Sequence, residues 1–322
     1  MRAPRPVDDR PAPPLPAGGG LLLVDKPSGC TSHDVVGRLR HVLRTRRIGH
    51  AGTLDPMATG LLVLAVDRST KLLGHLALTD KTYRGTIRLG RQTDTDDADG
   101  TLVASAAVDG VTDADIEAGI AALTGPILQV PSSVSAIKVG GRRAYDLVRS
   151  GVGVELAARP VTIARFEIIG PIRRAGSVID LDVLVECTTG TYIRSLARDL
   201  GAALGVGGHL TALRRARVGP FDVADAVDVY GGREPGERPP VTEEAAAAIA
   251  ARVLPAADAV RAAFASRLVE DAQALDLRHG RTIPAAGIAG TYGAFDSAGA
   301  LIALVVETNG VARSVLGWHT AG

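Results

Sequence analysis

The sequence predicts an α+β protein, a large domain of strands and amphipathic helices followed by a small β-rich one. Three observations carry this expectation. The apolar run Leu61–Val66, bounded by Gly60 and Asp67, has the length and flanks of a buried strand. Tyr83, Gly85, Ile87 and Leu89 alternate with Arg84, Thr86 and Arg88, the period of a half-buried strand. Val35, Val36, Leu39, Val42 and Leu43 instead recur at helical spacing, so both element types share one chain. With 322 residues the chain exceeds one average domain of about 150 residues, which favours a large unit plus a small one.

Taken in order, residues 1–20 hold six prolines and end in three glycines, the composition of a disordered tail. Leu21–Val24 opens the first strand and Asp25–Gly29 is a turn. Thr31 or Ser32 caps the following helix, with Asp34 in its first turn and Arg40 and Arg44 on its outer face. The polar segment from Arg47 to Gly60 reads as a loop at the edge of the core. Its single carboxylate, Asp55, is held extended by Pro56, and an Asp-Pro pair standing alone is simply a turn. A short helical stretch spans 70–78, and the strand 81–89 follows. Asp94–Gly100 fails the calcium-loop template, since its glycine is misplaced and the twelfth-position glutamate is missing, so it reads as a turn between strands. Residues 112–123 form a helix with Ile116, Ile120 and Leu123 on its apolar face. A short helix is expected at 144–149, strands at 161–169 and 178–185, and a helix at 195–204 with Leu196 and Leu200 in register. Arg194, at the start of that helix, opposes the macrodipole and therefore calls for a carboxylate partner. Residues 231–254 change composition sharply, towards Gly, Pro and Ala, and read as a linker or insertion. The segments 289–295 and 301–306 then predict the small C-terminal β-rich domain, 255–322.

Composition narrows the class. The 46% hydrophobic and 22% charged residues describe a soluble globular protein, no apolar run approaches the roughly 20 residues that span a bilayer, and the N-terminus lacks a signal-peptide core. The expected location is the cytoplasm. Cys30 and Cys187 lie far apart with no ligand-spaced histidine, so ordinary reduced thiols are expected rather than a disulfide or a metal site. The formal charge of +1 conceals a strong segregation. Segments 32–50, 138–149 and 194–217 carry net charges of +4, +3 and +4, whereas 94–117 holds eight acids and no base. Basic blocks of this kind suit phosphate contacts, and the acidic block is expected to lie elsewhere.

The order Gly49-His50-Ala51-Gly52-Thr53-Leu54-Asp55-Pro56-Met57-Ala58-Thr59-Gly60-Leu61-Leu62 resembles the motif of the TruB family of tRNA pseudouridine synthases. The resemblance continues through Lys81-Thr82-Tyr83, Arg88-Leu89-Gly90, Thr93-Asp94-Thr95, Gln129-Val130-Pro131, Ser135–Lys138 and Gly190-Thr191-Tyr192-Ile193-Arg194, over roughly residues 21–220. It implies a mixed β-sheet pseudouridine synthase catalytic core with flanking helices over 21–230, an RNA-clamping insertion at about 126–153, and a PUA-like RNA-binding domain at the C-terminus. It further implies isomerisation of the T-loop uridine that the family designates position 55. Asp55 would be the nucleophile, Arg194 its ion-pair partner, and Tyr83 the ring stacked on the flipped base, with a possible part for its hydroxyl in proton transfer. On pattern alone Tyr83 is a core ring.

By the same resemblance Leu213 touches the base, His50 fills or borders the vacated space, and Lys26 matches a substrate-binding lysine, although it also reads as a turn lysine. Arg44, Arg46, Arg47, Lys138, Arg142, Arg143, Arg214 and Arg215 are the candidates for the RNA backbone. No P-loop and no dinucleotide fingerprint is present, in keeping with an isomerisation that needs no cofactor and no metal. The expected partner is the T stem-loop of tRNA, met by a monomer. Attack by Asp55 on the sugar, attack on the base ring, and elimination through a glycal all fit these residues. A non-catalytic RNA binder or tRNA-folding chaperone using the same surface is the alternative reading.

Overall fold

The apolar run at 61–66 lies within a strand covered on both faces, and the rest of the fold is layered around it. The computed structural model describes residues 10–76, 80–132, 156–237 and 240–318, together with the backbone of 138–139 and 142–143. The N-terminal strands are β1 (Gly20–Lys26), β2 (Ile48–Ala51), β3 (Thr59–Val66) and β4 (Lys81–Leu89), followed by the short pair β5 (Arg91–Thr93) and β6 (Leu102–Ser105). Next come β7 (Gly125–Gln129), the pair β8 (Lys138–Val139) and β9 (Arg142–Arg143), β10 (Arg159–Ile168), β11 (Arg173–Ala175) and β12 (Val178–Cys187). β13 (Gly208–Val218), β14 (Phe221–Asp222) and β15 (Leu254–Pro255) complete the first part of the chain. The last part supplies β16 (Ala265–Leu268), β17 (Ile283–Pro284), β18 (Thr291–Phe295), β19 (Leu301–Thr308) and β20 (Val311–Gly317). The helices are α1 (Ser32–Val42), α2 (Leu73–Leu76), α3 (Asp113–Ala122), α4 (Ile193–Ala203), α5 (Glu243–Ala250), α6 (Ala256–Ala263) and α7 (Asp271–Arg278).

Eleven strands form one mixed sheet whose main path runs β15-β1-β3-β13-β4-β12-β10-β7. Its pairs are antiparallel except where β3 meets β13, in parallel register at Thr59/Arg214 and Gly60/Arg215. This short junction joins two half-sheets with separate cores. On one side, β1 and β3 bury Leu22, Val24, Leu62 and Leu64 against Val35 and Leu39 of α1 and Ala246 and Ala250 of α5. Their opposite face packs Leu21, Leu61 and Val63 against α6 and against Phe295, Leu301, Leu304 and Trp318 of the C-terminal sheet. The other half-sheet buries Ile87, Leu181, Val183 and Leu210 against Ile116 and Ile120 of α3 and Leu196 and Leu200 of α4. The C-terminal sheet has the order β16-β18-β19-β20-β17 and its own core with α7. The α+β class and the small C-terminal β-rich part are as the sequence predicts.

Local chemistry explains most element boundaries. Thr31 caps α1 and shares a capping box with Asp34, and Thr112 and Asp115 do the same for α3. The turn expected at 94–100 does connect β5 and β6.

Three expectations are corrected. The segment 47–60 is not all loop, because Ile48–Ala51 pairs antiparallel with Val63–Val66 of β3, and the burial of Ile48 and Ala51 outweighs the polar Gly49-His50 between them. As far as residue 76, where the described part ends, the helix expected at 70–78 is a 3₁₀ turn over Asp67–Leu72 followed by the single turn of α2. Within 231–254, residues 243–250 form a capped helix whose small alanines pack closely on β1 and α1. Of the tail at 1–20, residues 10–19 carry no regular structure before β1, yet Leu15 packs on the β1–α1 core. The short helix expected at 144–149 lies outside the described residues, as does the expected insertion apart from residues 126–132 and the backbone of β8 and β9. No helix among the described residues is long and apolar enough to cross a membrane.

Gly60 makes the β3–β13 junction possible. It has φ +99°, and a Cβ there would lie 2.3 Å from the Arg215 carbonyl oxygen. Gly60→Ala is therefore expected to cost about 2 kcal/mol or more, read as a fall of about 4 °C or more in the unfolding midpoint by calorimetry. An unchanged midpoint would show that the junction tolerates separation.

Candidate active site

The Asp55 loop is moored by three buried polar side chains on other elements. Lys26 at the end of β1 donates to the carbonyls of Pro27 at 2.9 Å, Cys30 at 2.7 Å and Pro56 at 3.2 Å. Ser32 in α1 brackets Leu54, its hydroxyl accepting from the Leu54 N–H at 2.9 Å and donating to the Leu54 carbonyl at 3.2 Å. Arg215 of β13 donates to the carbonyls of Leu61 at 2.7 Å and Gly52 at 2.9 Å, so it ties both ends of the loop. With Leu54 and Ala58 anchored in the core, the side chain left to face the cleft between them is Asp55.

Arg194 meets it there. The first residues of α4 carry this guanidinium, and Arg194 Nε lies 3.0 Å from Asp55 Oδ2 while Nη2 lies 3.2 Å from Oδ1, a side-on bidentate pair. The arginine side chain is 4% exposed and the aspartate 36%, so the cation is buried behind an anion that opens onto the cleft. The far side of the guanidinium is held as well. Nη1 donates to the Thr95 carbonyl at 2.8 Å and to the Ser132 hydroxyl at 3.3 Å, and it approaches Asp97 Oδ2 at 3.4 Å. Burial pushes the Asp55 carboxyl above the ordinary carboxylate range and nearby Asp97 pushes the same way, while Arg194 pulls it back down.

The cleft has a volume of about 280 Å³ and is walled by Tyr83, Lys81, Leu213 and Arg215 on one side and the loop Thr188–Tyr192 on the other. Strand geometry explains the first wall. Lys81 and Tyr83 share a face of β4, Leu213 and Arg215 share a face of β13, and Tyr83 stands opposite Arg215 in the ladder. Burial raises the Tyr83 hydroxyl above its usual range, with the Arg215 guanidinium beside it acting the other way. Burial next to Arg215 pulls the Lys81 ammonium down to about 8.

The structure thus brings together Asp55, Arg194, Tyr83 and Leu213, four residues singled out from four distant segments. Others are placed differently. Lys26 is buried and commits its three ammonium donors to backbone carbonyls, so it holds the Asp55 loop rather than reaching a substrate. His50 lies in β2 outside the cleft wall, and burial followed by the neighbouring Arg215 charge lowers its imidazole pKa. Arg215 is 1% exposed, because the alternation of β13 turns it inward, and so it is no phosphate contact. Arg214 faces the other way and forms a bidentate pair with Asp25 at 2.9 and 2.7 Å. Arg44, Arg46 and Arg47 are exposed in the α1–β2 connection. The side chains of Lys138, Arg142 and Arg143 lie outside the described residues.

The acidic block expected elsewhere instead reaches the site. Asp97 approaches Arg194, and Asp96 lies 3.3 Å from Arg198 in the next turn of α4. The sequence expectation, a turn between strands in an acidic block away from the site, omits both, although Arg194 and Arg198 lie one helical turn apart and each can take an acidic partner. Among the described residues no three His, Cys, Asp or Glu side chains converge as metal ligands.

Comparison with known proteins gives the family. A profile described as TruB family pseudouridylate synthase, N-terminal domain, matches residues 40–193. Profiles described as tRNA pseudouridylate synthase B C-terminal domain and tRNA pseudouridine synthase II, C terminal, match 194–230 and 264–318. The chain is 54% identical to a protein of Nocardia farcinica named tRNA pseudouridine synthase B, over 90% of each chain. It is 53% identical to the protein of that name from Rhodococcus jostii, over 93% of each. Among solved structures it superposes on a chain of a Cbf5–Nop10–Gar1 complex with TM-score 0.67 and 25% identity, covering 96% of this chain and 90% of the other. Matched along nearly its whole length by relatives at more than half identity, the chain belongs to the TruB family of pseudouridylate synthases.

Proposed function

We propose that this protein is a tRNA pseudouridine synthase that isomerises the T-loop uridine designated position 55, with Asp55 as its nucleophile. The observation that carries the reading is the side-on Asp55–Arg194 pair opening onto a cleft walled by Tyr83 and Leu213. Pseudouridine formation breaks the bond between uracil N1 and the ribose, turns the ring, and rejoins the sugar through carbon. It needs a carboxylate that is ionised yet short of water. Burial alone would neutralise Asp55, and the permanently charged guanidinium opposes that while aiming both oxygens. The target base must first leave its stack, at a cost of a few kcal/mol, and a ring held between Tyr83 and Leu213 recovers part of it. In this reading the Tyr83 hydroxyl, which lines the same cleft, is the candidate for proton transfer.

RNA would approach over the exposed Arg44, Arg46 and Arg47, with Lys138, Arg142 and Arg143 of the insertion as further contacts. The C-terminal sheet acts as the PUA-like RNA-binding module of the same reading, and the protein works as a monomer in the cytoplasm on the T stem-loop of tRNA.

Asp55→Asn should abolish pseudouridine formation while leaving tRNA affinity within a few-fold, measured by mass spectrometry of tRNA and by filter binding. Binding without product in the unaltered protein would instead support an RNA chaperone. Because Asp55 must be ionised and its carboxyl is raised, the single-turnover rate should fall as pH drops through a midpoint above the ordinary aspartate value of about 3.9. A midpoint at or below that value contradicts the raised carboxyl. Replacing Arg46 and Arg47 by alanine should weaken tRNA binding and lower the slope of log affinity against log salt by about 1 for each phosphate no longer neutralised. An unchanged slope would remove these residues from the RNA path.

A further inference from the structure

The four residues Gln129–Ser132 leave the end of β7 and run across the N-terminus of α4, the helix that carries Arg194. They touch it at three levels. The Gln129 side chain, in a residue only 1% exposed, bonds the Tyr192 backbone in both directions: its Oε1 accepts from the Tyr192 N–H at 2.8 Å and its Nε2 donates to the Tyr192 carbonyl at 3.1 Å. The Val130 carbonyl accepts from Arg198 Nη2 at 2.7 Å. The buried Ser132 hydroxyl accepts from Arg194 Nη1 at 3.3 Å and donates to the Thr95 carbonyl at 3.3 Å.

Two of these contacts answer specific needs of the site. Tyr192 is the N-cap residue of α4 but has no capping side chain, because that position carries a ring lining the cleft. Gln129, from another strand, pins the backbone of the cap residue itself, whereas a Ser, Thr, Asp or Asn at that position would cap the N–H groups of the first turn. At the guanidinium, Nη1 faces a choice between the neutral oxygens of Thr95 and Ser132 and the carboxylate of Asp97 at 3.4 Å. Without the Ser132 oxygen, the stronger pull of Asp97 would roll the planar group. Nε and Nη2 would then leave the two oxygens of Asp55.

We infer that Gln129 and Ser132 are positioning residues for the isomerisation, fixing the start of α4 and the roll of the Arg194 guanidinium so that Asp55 is met side-on. The inference rests on Asp55 and Arg194 being the catalytic pair.

The test compares the unaltered protein, Ser132→Ala and Gln129→Met in single-turnover reactions on a T-arm-containing tRNA transcript across pH, with tRNA affinity measured in parallel. Both variants should slow the isomerisation step by at least about tenfold, towards ~100-fold, at nearly unchanged tRNA affinity. Both should also shift the acid limb to higher pH, since a less well-aligned guanidinium opposes protonation of Asp55 less. Removing groups of purely structural value would leave the acid limb where it is. Wild-type rates with an unmoved limb, or a loss confined to affinity, overturn the inference. If Gln129→Met does not fold by circular dichroism, Ser132→Ala alone decides, since it deletes a single buried oxygen. Failure of the unaltered protein to form any pseudouridine would sink the reading of the site itself, whereas turnover with unimpaired variants sinks only the positioning role.

Discussion

The fold is organised to hold one carboxylate against one guanidinium that lies 139 residues away in the chain. The acid faces the cleft and the base is buried behind it, so the pair is neither a solvated surface bridge nor a sealed core pair. A surface pair would leave the carboxylate fully hydrated, and a sealed one would close it off from the cleft. The intermediate placement requires that the Asp55 loop, the start of α4 and the turn bearing Thr95 and Asp97 keep fixed relative positions.

That requirement accounts for the unusual density of buried polar groups around the site. Lys26, Ser32 and Arg215 have no reason to be buried on hydrophobic grounds, and each would be costly without partners. All are satisfied by backbone of the Asp55 loop or its flanks. Arg194 begins a helix whose dipole already places partial positive charge at that end, and the two carboxylates Asp55 and Asp97 offset both. A buried cation between two acids is poised rather than simply stable, which is why the neutral oxygens of Thr95 and Ser132 matter to its orientation.

Among the described residues the two half-sheets are joined in one ladder by the β3–β13 pairing, and the cleft is lined from both halves. One half contributes Asp55 and the mooring residues Lys26 and Ser32, and the other contributes Tyr83, Leu213, Arg194 and Arg215. The C-terminal sheet braces the first half by closing the outer face of β1 and β3 through Phe295, Leu301, Leu304 and Trp318.

Much of this was legible in the sequence. The apolar run of β3, the alternation of β4, the cap of α1 and the motif around Asp55 are local signals, and local backbone chemistry obeyed them. The need of Arg194 for an acid followed from its place at a helix start, and Asp55, Tyr83 and Leu213 were identified through the motif that surrounds each. What residue patterns alone did not decide was direction and distance. Arg214 and Arg215 are adjacent and chemically identical, yet the strand turns one towards Asp25 and buries the other beneath the cleft. Lys26 looked like a turn lysine or a substrate contact and is a fastener. Asp97 read as part of a turn away from the site and lies beside the guanidinium of Arg194. A side chain's role here depends on which long-range partners the sheet register brings within about 3 Å, the range of a hydrogen bond, and that register is set by the packing of the whole sheet.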